Sequence, residues 1–227
     1  MTGVAKGANG HAGLMDSVYR RQRYIYDFTR KYYLFGRDGL IRELGLKPGA
    51  RVVEIGCGTA RNLVKLAKLY PAARLYGLDA SQEMLKTAER AIAHSGLSGR
   101  IQLAQGLAED LSPAMFGLDD TFTDAIFSYS LSMIPDWKQA LNKAAEAVGP
   151  GRVHIVDFGD LEGLGKPIAA ILGAWLRLFH VTSRREILRG LESNPRFVEQ
   201  TASLRILPAH YAFVWQGSGR TVQSLAL

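Results

Sequence analysis

With 227 residues, 47% of them hydrophobic and 22% charged, and with 24 glycines and 8 prolines, the chain has a globular composition. That composition excludes a collagen, a mostly disordered chain and a charged coiled coil, and the length suits one α/β domain with additions. A lone cysteine excludes an intramolecular disulfide and any zinc site built from several thiolates, while a net charge of +7 leaves nucleic acid, an anionic membrane and an acidic small ligand open as partners.

In chain order, residues 1–14 (MTGVAKGANGHAGL) are small and polar and lack the apolar stretch of a secretory signal. They read as a loose arm, and the expected location is cytoplasmic. Residues 16–36 then place Ile25, Phe28, Tyr32 and Phe35 at helical spacing, with Tyr19, Arg23, Tyr26, Arg30 and Tyr33 along a neighbouring face. The pattern predicts a helical cap over residues 15–44, aromatic and cationic beside its buried seam. Charge gathers here, with nine basic residues against four acids between positions 15 and 51.

From Arg51 onward short β-branched runs alternate with helical patterns: RVVEIG, TARNLVKLAKLY, RLYGLD, SQEMLKTAERAIAHSG, RIQLAQG, TDAIFSYS, DWKQALNKAAEAVGPG and RVHIVDFG. This order predicts a parallel sheet with helices on both faces, in a domain spanning residues 45–220. Thr59 and Ser81 stand where N-caps are wanted, while Gly96 and the glycines at 149 and 151 stop helices. Residues 163–191 read as a helical insertion with an apolar middle around Trp175 and a basic end at Arg184 and Arg185. Its longest apolar run has 10 residues, against roughly 20 needed to span a bilayer. Near the end, ASLRILPAHYAFVWQGSG predicts two strands joined at Pro208, closing the sheet as an antiparallel hairpin, and residues 221–227 form a tail.

The sharpest chemical signal is VVEIGCGTARN, residues 52–62, a strand that runs through a glycine turn into a helix. Gly56 and Gly58 permit a tight turn and let a ligand approach closer than a Cβ would allow. A second strand ends in Asp79, 25 residues beyond Glu54, where a carboxylate can accept both hydroxyls of a ribose. The third glycine of a pyrophosphate-binding turn is missing, since Arg61 stands in its place, and Glu54 would oppose a phosphate and suit a cation.

Glu54-Ile55-Gly56-Cys57-Gly58-Thr59 resembles the first motif of the class I S-adenosylmethionine-dependent methyltransferases, with Ala60 in place of that motif's last glycine. The resemblance covers roughly residues 45 to 160. It implies a Rossmann-like sheet of seven mostly parallel strands with helices on both faces, and S-adenosylmethionine as cofactor with S-adenosylhomocysteine as product. Carried onto this chain, it implies cofactor contacts from Glu54, Gly56, Cys57, Gly58, Asp79, Ala80, Leu107, Ala108, Glu109 and Ser128, with the adenine held at QGLAEDL. Ala60 is expected to add a methyl group near the methionine tail and to weaken cofactor binding.

The stretches YRRQRYIYDFTRKYYLFGRD and FSYSLSMIPDW further resemble the bacterial N-methyltransferases of betaine-lipid synthesis, which trimethylate diacylglyceryl-homoserine. That resemblance implies catalytic or orienting roles for Tyr129, Tyr26 and Tyr19, and substrate contacts from Tyr24, Arg23, Arg30 and Tyr33. It also implies a peripheral seat on an anionic membrane, at the inner face. Methylation of phosphatidylethanolamine or another small amine, and a non-catalytic module that binds S-adenosylmethionine or a membrane, are the alternatives. Nucleic acid is not expected as a partner, because SYSLSMIP lacks the Asn/Asp-Pro-Pro-aromatic motif that often serves base amines. Cys57 reads as a packing residue, the five histidines are scattered, no metal is expected, and Asp157 reads equally as a substrate ligand or a cap.

Overall fold

The computed structural model describes residues 36–161, 184–193 and 203–218, with single positions between 163 and 174. The predicted arm, the cap ahead of Gly36, much of the insertion and the tail lie outside the described residues. Strands β1 (Arg51–Ile55), β2 (Arg74–Asp79), β3 (Ile101–Gln105), β4 (Asp124–Ser128), β5 (Arg152–Phe158), β6 (Ser203–Ile206) and β7 (Ala212–Ser218) form one sheet in the order β3-β2-β1-β4-β5-β7-β6. The first five pair in parallel, and β7 runs antiparallel between β5 and β6. The helices are α1 (Arg37–Glu43), α2 (Arg61–Leu69), α3 (Gln82–His94), α4 (Trp137–Val148) and α5 (Arg184–Ser193).

The inner strands are apolar on successive residues because both faces are covered. Alternate side chains of β1, β2 and β4 point to opposite cores: Val52, Leu75 and Ile126 meet α2, α3 and α1, through Leu63, Leu66, Ala88, Leu40 and Ile41. Val53, Tyr76 and Ala125 go the other way, to Trp137, Leu141 and Ala144 of α4 and Ile187 of α5. Pairing of β1 with both β2 and β4 reverses the direction of winding between those two neighbours. A crevice therefore opens beyond the carboxyl ends of these strands.

The caps are partly as expected. Ser81 Oγ accepts the Met84 N–H at 3.3 Å and starts α3, and Asp136 does the same for α4 through the Gln139 N–H at 3.1 Å. Thr59 is not the cap of α2. The turn needs one more residue, and Ala60 takes the N-cap position in the left-handed region at φ 60° with no side-chain hydrogen bond. Its methyl group is fully buried in the core with α2 and lines neither cleft described below, so the expectation that it crowds the cofactor is corrected. Relief of roughly 1–2 kcal/mol of left-handed strain by Ala60→Gly is offset by about 0.8 kcal/mol of lost methyl burial and ~0.4–1 kcal/mol of extra unfolded-state entropy. The variant is expected to melt close to the parent and to bind cofactor equally well, as thermal denaturation and calorimetry will show.

At the opposite strand ends a buried polar cluster joins β4 to β5. His154 Nε2 lies 2.8 Å from Asp124 Oδ1, which also accepts from Arg152 Nε at 2.9 Å, while the Thr123 hydroxyl donates to Oδ2 at 2.8 Å. Burial pushes the His154 imidazole below its ordinary value against the opposing pull of Asp124. Burial alone would raise the Asp124 carboxyl, but His154, Thr123 and Arg152 together hold it below the usual range. Both folded values are depressed, so both contributions are complete above the unfolded values, about 6.5 and 3.9, and are lost as pH falls through the folded ones. The melting temperature is therefore expected to drop between pH 7 and 5, and His154→Gln, which keeps a donor toward Asp124, to flatten that part of the profile.

Candidate active site

The crevice beyond β1, β2 and β4 is an open cleft. Gly56 turns the chain at φ 71°, and a Cβ there would sit 2.5 Å from the Cβ of Ser130. Ser130 in turn donates to the Ile55 carbonyl at 2.6 Å, so the end of β4 is fastened against the end of β1 just where the glycine turn begins. Only a bare backbone fits between them. Gly77 serves the same packing from β2, since a Cβ would meet Leu63, Cys57 and Leu103 at 2.7–2.8 Å.

Asp79, at the tip of β2, accepts the Gly58 N–H at 2.7 Å through Oδ2 and the Ser81 N–H at 2.9 Å through Oδ1. A carboxylate offers about four lone-pair sites, and the two amides take one on each oxygen. Beside it, Leu107, Ala108 and Glu109 form one wall of the cleft, while Met133, Ile134 and Pro135 form another.

Tyr129 also lines this cleft, at φ 55°, with its ring 1% exposed and packed on Phe158 at 4.7 Å. A left-handed aromatic residue carries roughly 1–2 kcal/mol of backbone strain, held here by the Tyr129 N–H bond to the Val156 carbonyl at 2.8 Å. Burial and the neighbouring Asp157 carboxylate push its phenol far above the ordinary tyrosine value. It stays protonated, so it can orient a reacting group by hydrogen bonding but not act as a base at neutral pH.

A second chamber adjoins the first at Gly56. It takes Glu54, Cys57 and Ser128, so the residues expected around the cofactor divide between two spaces, with Gly56, Gly58, Asp79, Ala80, Leu107, Ala108 and Glu109 in the first. The Cys57 thiol is buried, and burial together with Asp79 and Glu54 raises it, which suits packing rather than nucleophilic attack. Asp157 does not face the cleft as a ligand: it is fully buried, with Oδ2 accepting the Ser132 N–H at 2.9 Å and Oδ1 accepting the Ser132 hydroxyl at 2.7 Å and the Phe158 N–H at 2.8 Å. Of its two sequence readings, the cap is the one observed, and it holds the Leu131–Met133 turn. Tyr19, Arg23, Tyr24, Tyr26, Arg30 and Tyr33 lie outside the described residues.

Sequence reasoning missed Arg37 and Asn62, which line the second chamber. Asn62 carried a usable signal, standing eight residues after Glu54 on the first turn of the helix that follows the glycine loop; Arg37 entered through a charge count and as part of the stretch 19–38, with no role of its own. Among the described residues no group of three or more His, Cys, Asp or Glu side chains is placed to hold a metal ion.

A seven-stranded sheet of this order, with a carboxylate at the tip of β2 facing a glycine turn after β1, is the Rossmann-like arrangement of class I S-adenosylmethionine-dependent methyltransferases. Residues 52–151 match the family model of a methyltransferase domain. The cofactor of the class is S-adenosylmethionine, and the residues present suit it chemically: a carboxylate at Asp79, apolar side chains such as Leu107 and Ile134, and a glycine turn without Cβ atoms line one cleft.

Among curated relatives, the chain is 34% identical over 145 residues to a demethylmenaquinone methyltransferase of Bacillus subtilis (strain 168), covering 61% of this chain and 58% of the relative. It is 30% identical over 138 residues to a demethylmenaquinone methyltransferase of Geobacillus kaustophilus (strain HTA426), covering 60% and 56%. The chain thus spans a little over half the length of these relatives. Two solved structures share the fold: the apo S-adenosylmethionine-dependent methyltransferase SibL, with a TM-score of 0.65 at 22% identity over 87% of this chain and 58% of the other; and a SAM-dependent methyltransferase from Aquifex aeolicus, with a TM-score of 0.62 at 18% identity over 88% and 97%.

Proposed function

We propose that the protein methylates the amine of a membrane lipid, diacylglyceryl-homoserine, in successive rounds that give the trimethylated betaine lipid. The observation that carries methyl transfer is the Asp79 carboxylate set against the Gly58 amide at the mouth of the cleft. Support for the acceptor comes from the tyrosine- and arginine-rich segment 19–38, whose Arg37 lines the chamber beside Glu54.

When bound, S-adenosylmethionine supplies a methyl group on a sulfonium, open to in-line displacement. The chain's own residues have to exclude water and present an uncharged amine. An alkyl amine with a pKa near ~10 is mostly protonated in water at neutral pH, and apolar walls such as Met133 and Ile134 favour its neutral form by desolvation. The protonated Tyr129 phenol, at the end of β4, is suited to orienting the nitrogen.

A basic surface suits a lipid acceptor: each Lys or Arg near an anionic bilayer adds roughly 1 kcal/mol of attraction. No described helix is long and apolar enough to cross a membrane. Within the insertion Ile171 is 72% exposed, as a segment dipping into the interface would require. Contact with the inner face of the membrane is thus a peripheral one in this reading.

The relatives favour a second reading, methylation of a quinone ring carbon as in the demethylmenaquinone enzymes. One experiment separates the two. The purified full chain is incubated with methyl-labelled S-adenosylmethionine and vesicles carrying diacylglyceryl-homoserine, phosphatidylethanolamine or demethylmenaquinone, and products are resolved by mass spectrometry. Mono-, di- and trimethylated homoserine lipid is the expected result. Label confined to the quinone or to phosphatidylethanolamine overturns the acceptor, and no label in any arm with cofactor still bound points to a non-catalytic module.

A further inference from the structure

The end of the molecule opposite the cleft carries a charge pattern that methyl transfer does not use. No acid occurs in residues 44–53, 55–78 or 95–108, stretches that include the loops entering β1, β2 and β3. These loops meet around the end of α2. The Tyr70 hydroxyl donates between the Ile41 and Arg42 carbonyl oxygens, at 3.1 and 3.2 Å. The Gly49 N–H donates to the Ala72 carbonyl at 3.1 Å, and the Arg74 N–H to the Ala50 carbonyl at 2.8 Å. Arg100 fastens the same corner from beneath with bonds of 2.8–3.0 Å to the Ala67, Tyr70 and Ala73 carbonyls, a cation set at a helix C-terminus. The outer surface is different. Arg42, Lys47, Lys68 and Arg74 are all exposed, and among the described residues none of their side chains meets a carboxylate. Adjoining acids are taken, Glu43 by Arg205 at 2.8 Å and Asp120 by Arg51 at 3.6 Å. Between Lys68 and Arg74 along the chain, Leu69 is 46% exposed, with Pro71 and Ala72 exposed beside it. Cations gathered without acids repel one another, and an anionic partner relieves that repulsion.

We propose that this surface binds an acidic segment of a partner protein, one that also offers an apolar side chain to Leu69. Its place in the fold decides against a bilayer. Strand β2 carries Arg74 at one end and Asp79 at the other, about 17 Å apart for an extended run of this length. A partner on Arg74 therefore leaves the cleft open, whereas a bilayer seated there would hold the cleft away from its lipids. That exclusion rests on the membrane-lipid reading of the acceptor. Single-stranded nucleic acid would match the charges, but its bases stack on open aromatic rings. Tyr70, the aromatic at this surface, is half-buried with its hydroxyl spent on α1. A phosphate backbone also presents nothing apolar to Leu69, while a segment that mixes carboxylates with leucines complements both the charges and the apolar centre.

The test titrates the full chain by fluorescence anisotropy with three labelled probes: an amphipathic peptide of glutamate and leucine, the same peptide with serine for leucine, and a single-stranded RNA of similar length. Sedimentation with phosphatidylglycerol vesicles is the fourth arm. The triple variant Lys47→Glu, Lys68→Glu, Arg74→Glu is expected to bind the leucine peptide at least ~10-fold more weakly than the parent at low ionic strength. Added salt should weaken the parent's own binding as the Debye length shortens. Leu69→Ser, which keeps every charge, is expected to cost the leucine peptide ~3–10-fold and the serine peptide almost nothing. None of these side chains lines either cleft, so both variants should keep the S-adenosylhomocysteine affinity within about twofold, which shows that they are folded. Equal binding of the leucine peptide by parent and triple variant overturns the proposal, as does a parent that binds neither peptide. Vesicle binding lost in the triple variant overturns it in favour of a membrane seat. RNA bound more tightly than the leucine peptide, and lost in the triple variant, overturns it in favour of nucleic acid. No arm measures methyl transfer, so the patch and the lipid acceptor fail separately.

Discussion

Asp79→Ala is expected to weaken S-adenosylhomocysteine binding by at least ~100-fold. Two ribose hydroxyls donating to an ionised carboxylate contribute about 1.5–3 kcal/mol each, and each ~1.4 kcal/mol is a factor of ten. The low end of that sum already gives the stated loss. Further loss comes from the loop, because the same carboxylate accepts the Gly58 and Ser81 amides and fixes the glycine turn against β2. Asp79→Asn keeps one acceptor oxygen but turns an amide N–H2 toward one of those backbone donors, so it should fall between the parent and the alanine variant. 5′-Methylthioadenosine keeps the nucleoside and sulfur of S-adenosylhomocysteine without its amino-acid end, so both affinities should drop together. Calorimetric constants that do not change in Asp79→Ala would show that the ribose sits elsewhere.

The contrast between Asp79 and Arg37, which lines the second chamber, shows what a sequence can and cannot convey. Asp79 was readable because it ends an apolar run and because β1, the glycine turn and β2 lie close along the chain, so their spacing constrains the geometry. The positions of β1, β2, β4 and β5 along the chain were readable for a related reason: strands buried on both faces appear as unbroken apolar runs. Arg37 reaches the second chamber only because α1 docks Leu40, Ile41 and Leu44 into the core over the glycine-loop face, a contact between segments that no local pattern encodes. Thr59 against Ala60 was a boundary error of one residue, produced by a turn that ends in the left-handed region at a residue other than glycine. Asp157 could not be decided from the chain because its partner, Ser132, lies 25 residues away and belongs to a short turn with no periodicity.

That buried clamp carries the second large prediction. Asp157→Ala removes the acceptor of three hydrogen bonds, two from Ser132 and one from the Phe158 N–H, and leaves buried donors without a partner. Three buried neutral donors left unsatisfied, at about 1–3 kcal/mol each, cost about 3–5 kcal/mol in sum after local relaxation, a large share of the ~5–15 kcal/mol that holds a domain folded. At roughly 2–4 °C per kcal/mol for a chain of this size, the melting temperature should fall by about 6–20 °C. Asp157→Asn is not a neutral replacement. Either amide orientation sets its N–H2 against a backbone N–H, of Ser132 or of Phe158, at an expected cost of about 1–3 kcal/mol. Ser132→Ala removes only one hydroxyl donor and should cost least. Urea denaturation should therefore find Asp157→Ala the least stable of the three variants, Asp157→Asn intermediate and Ser132→Ala the most stable, with unchanged slopes. Because the Leu131–Met133 turn carries Met133 to the cleft wall and follows directly on Ser130, the fraction that remains folded should also bind cofactor less tightly. A variant that kept its stability and lost only turnover would instead make Asp157 a ligand of the acceptor.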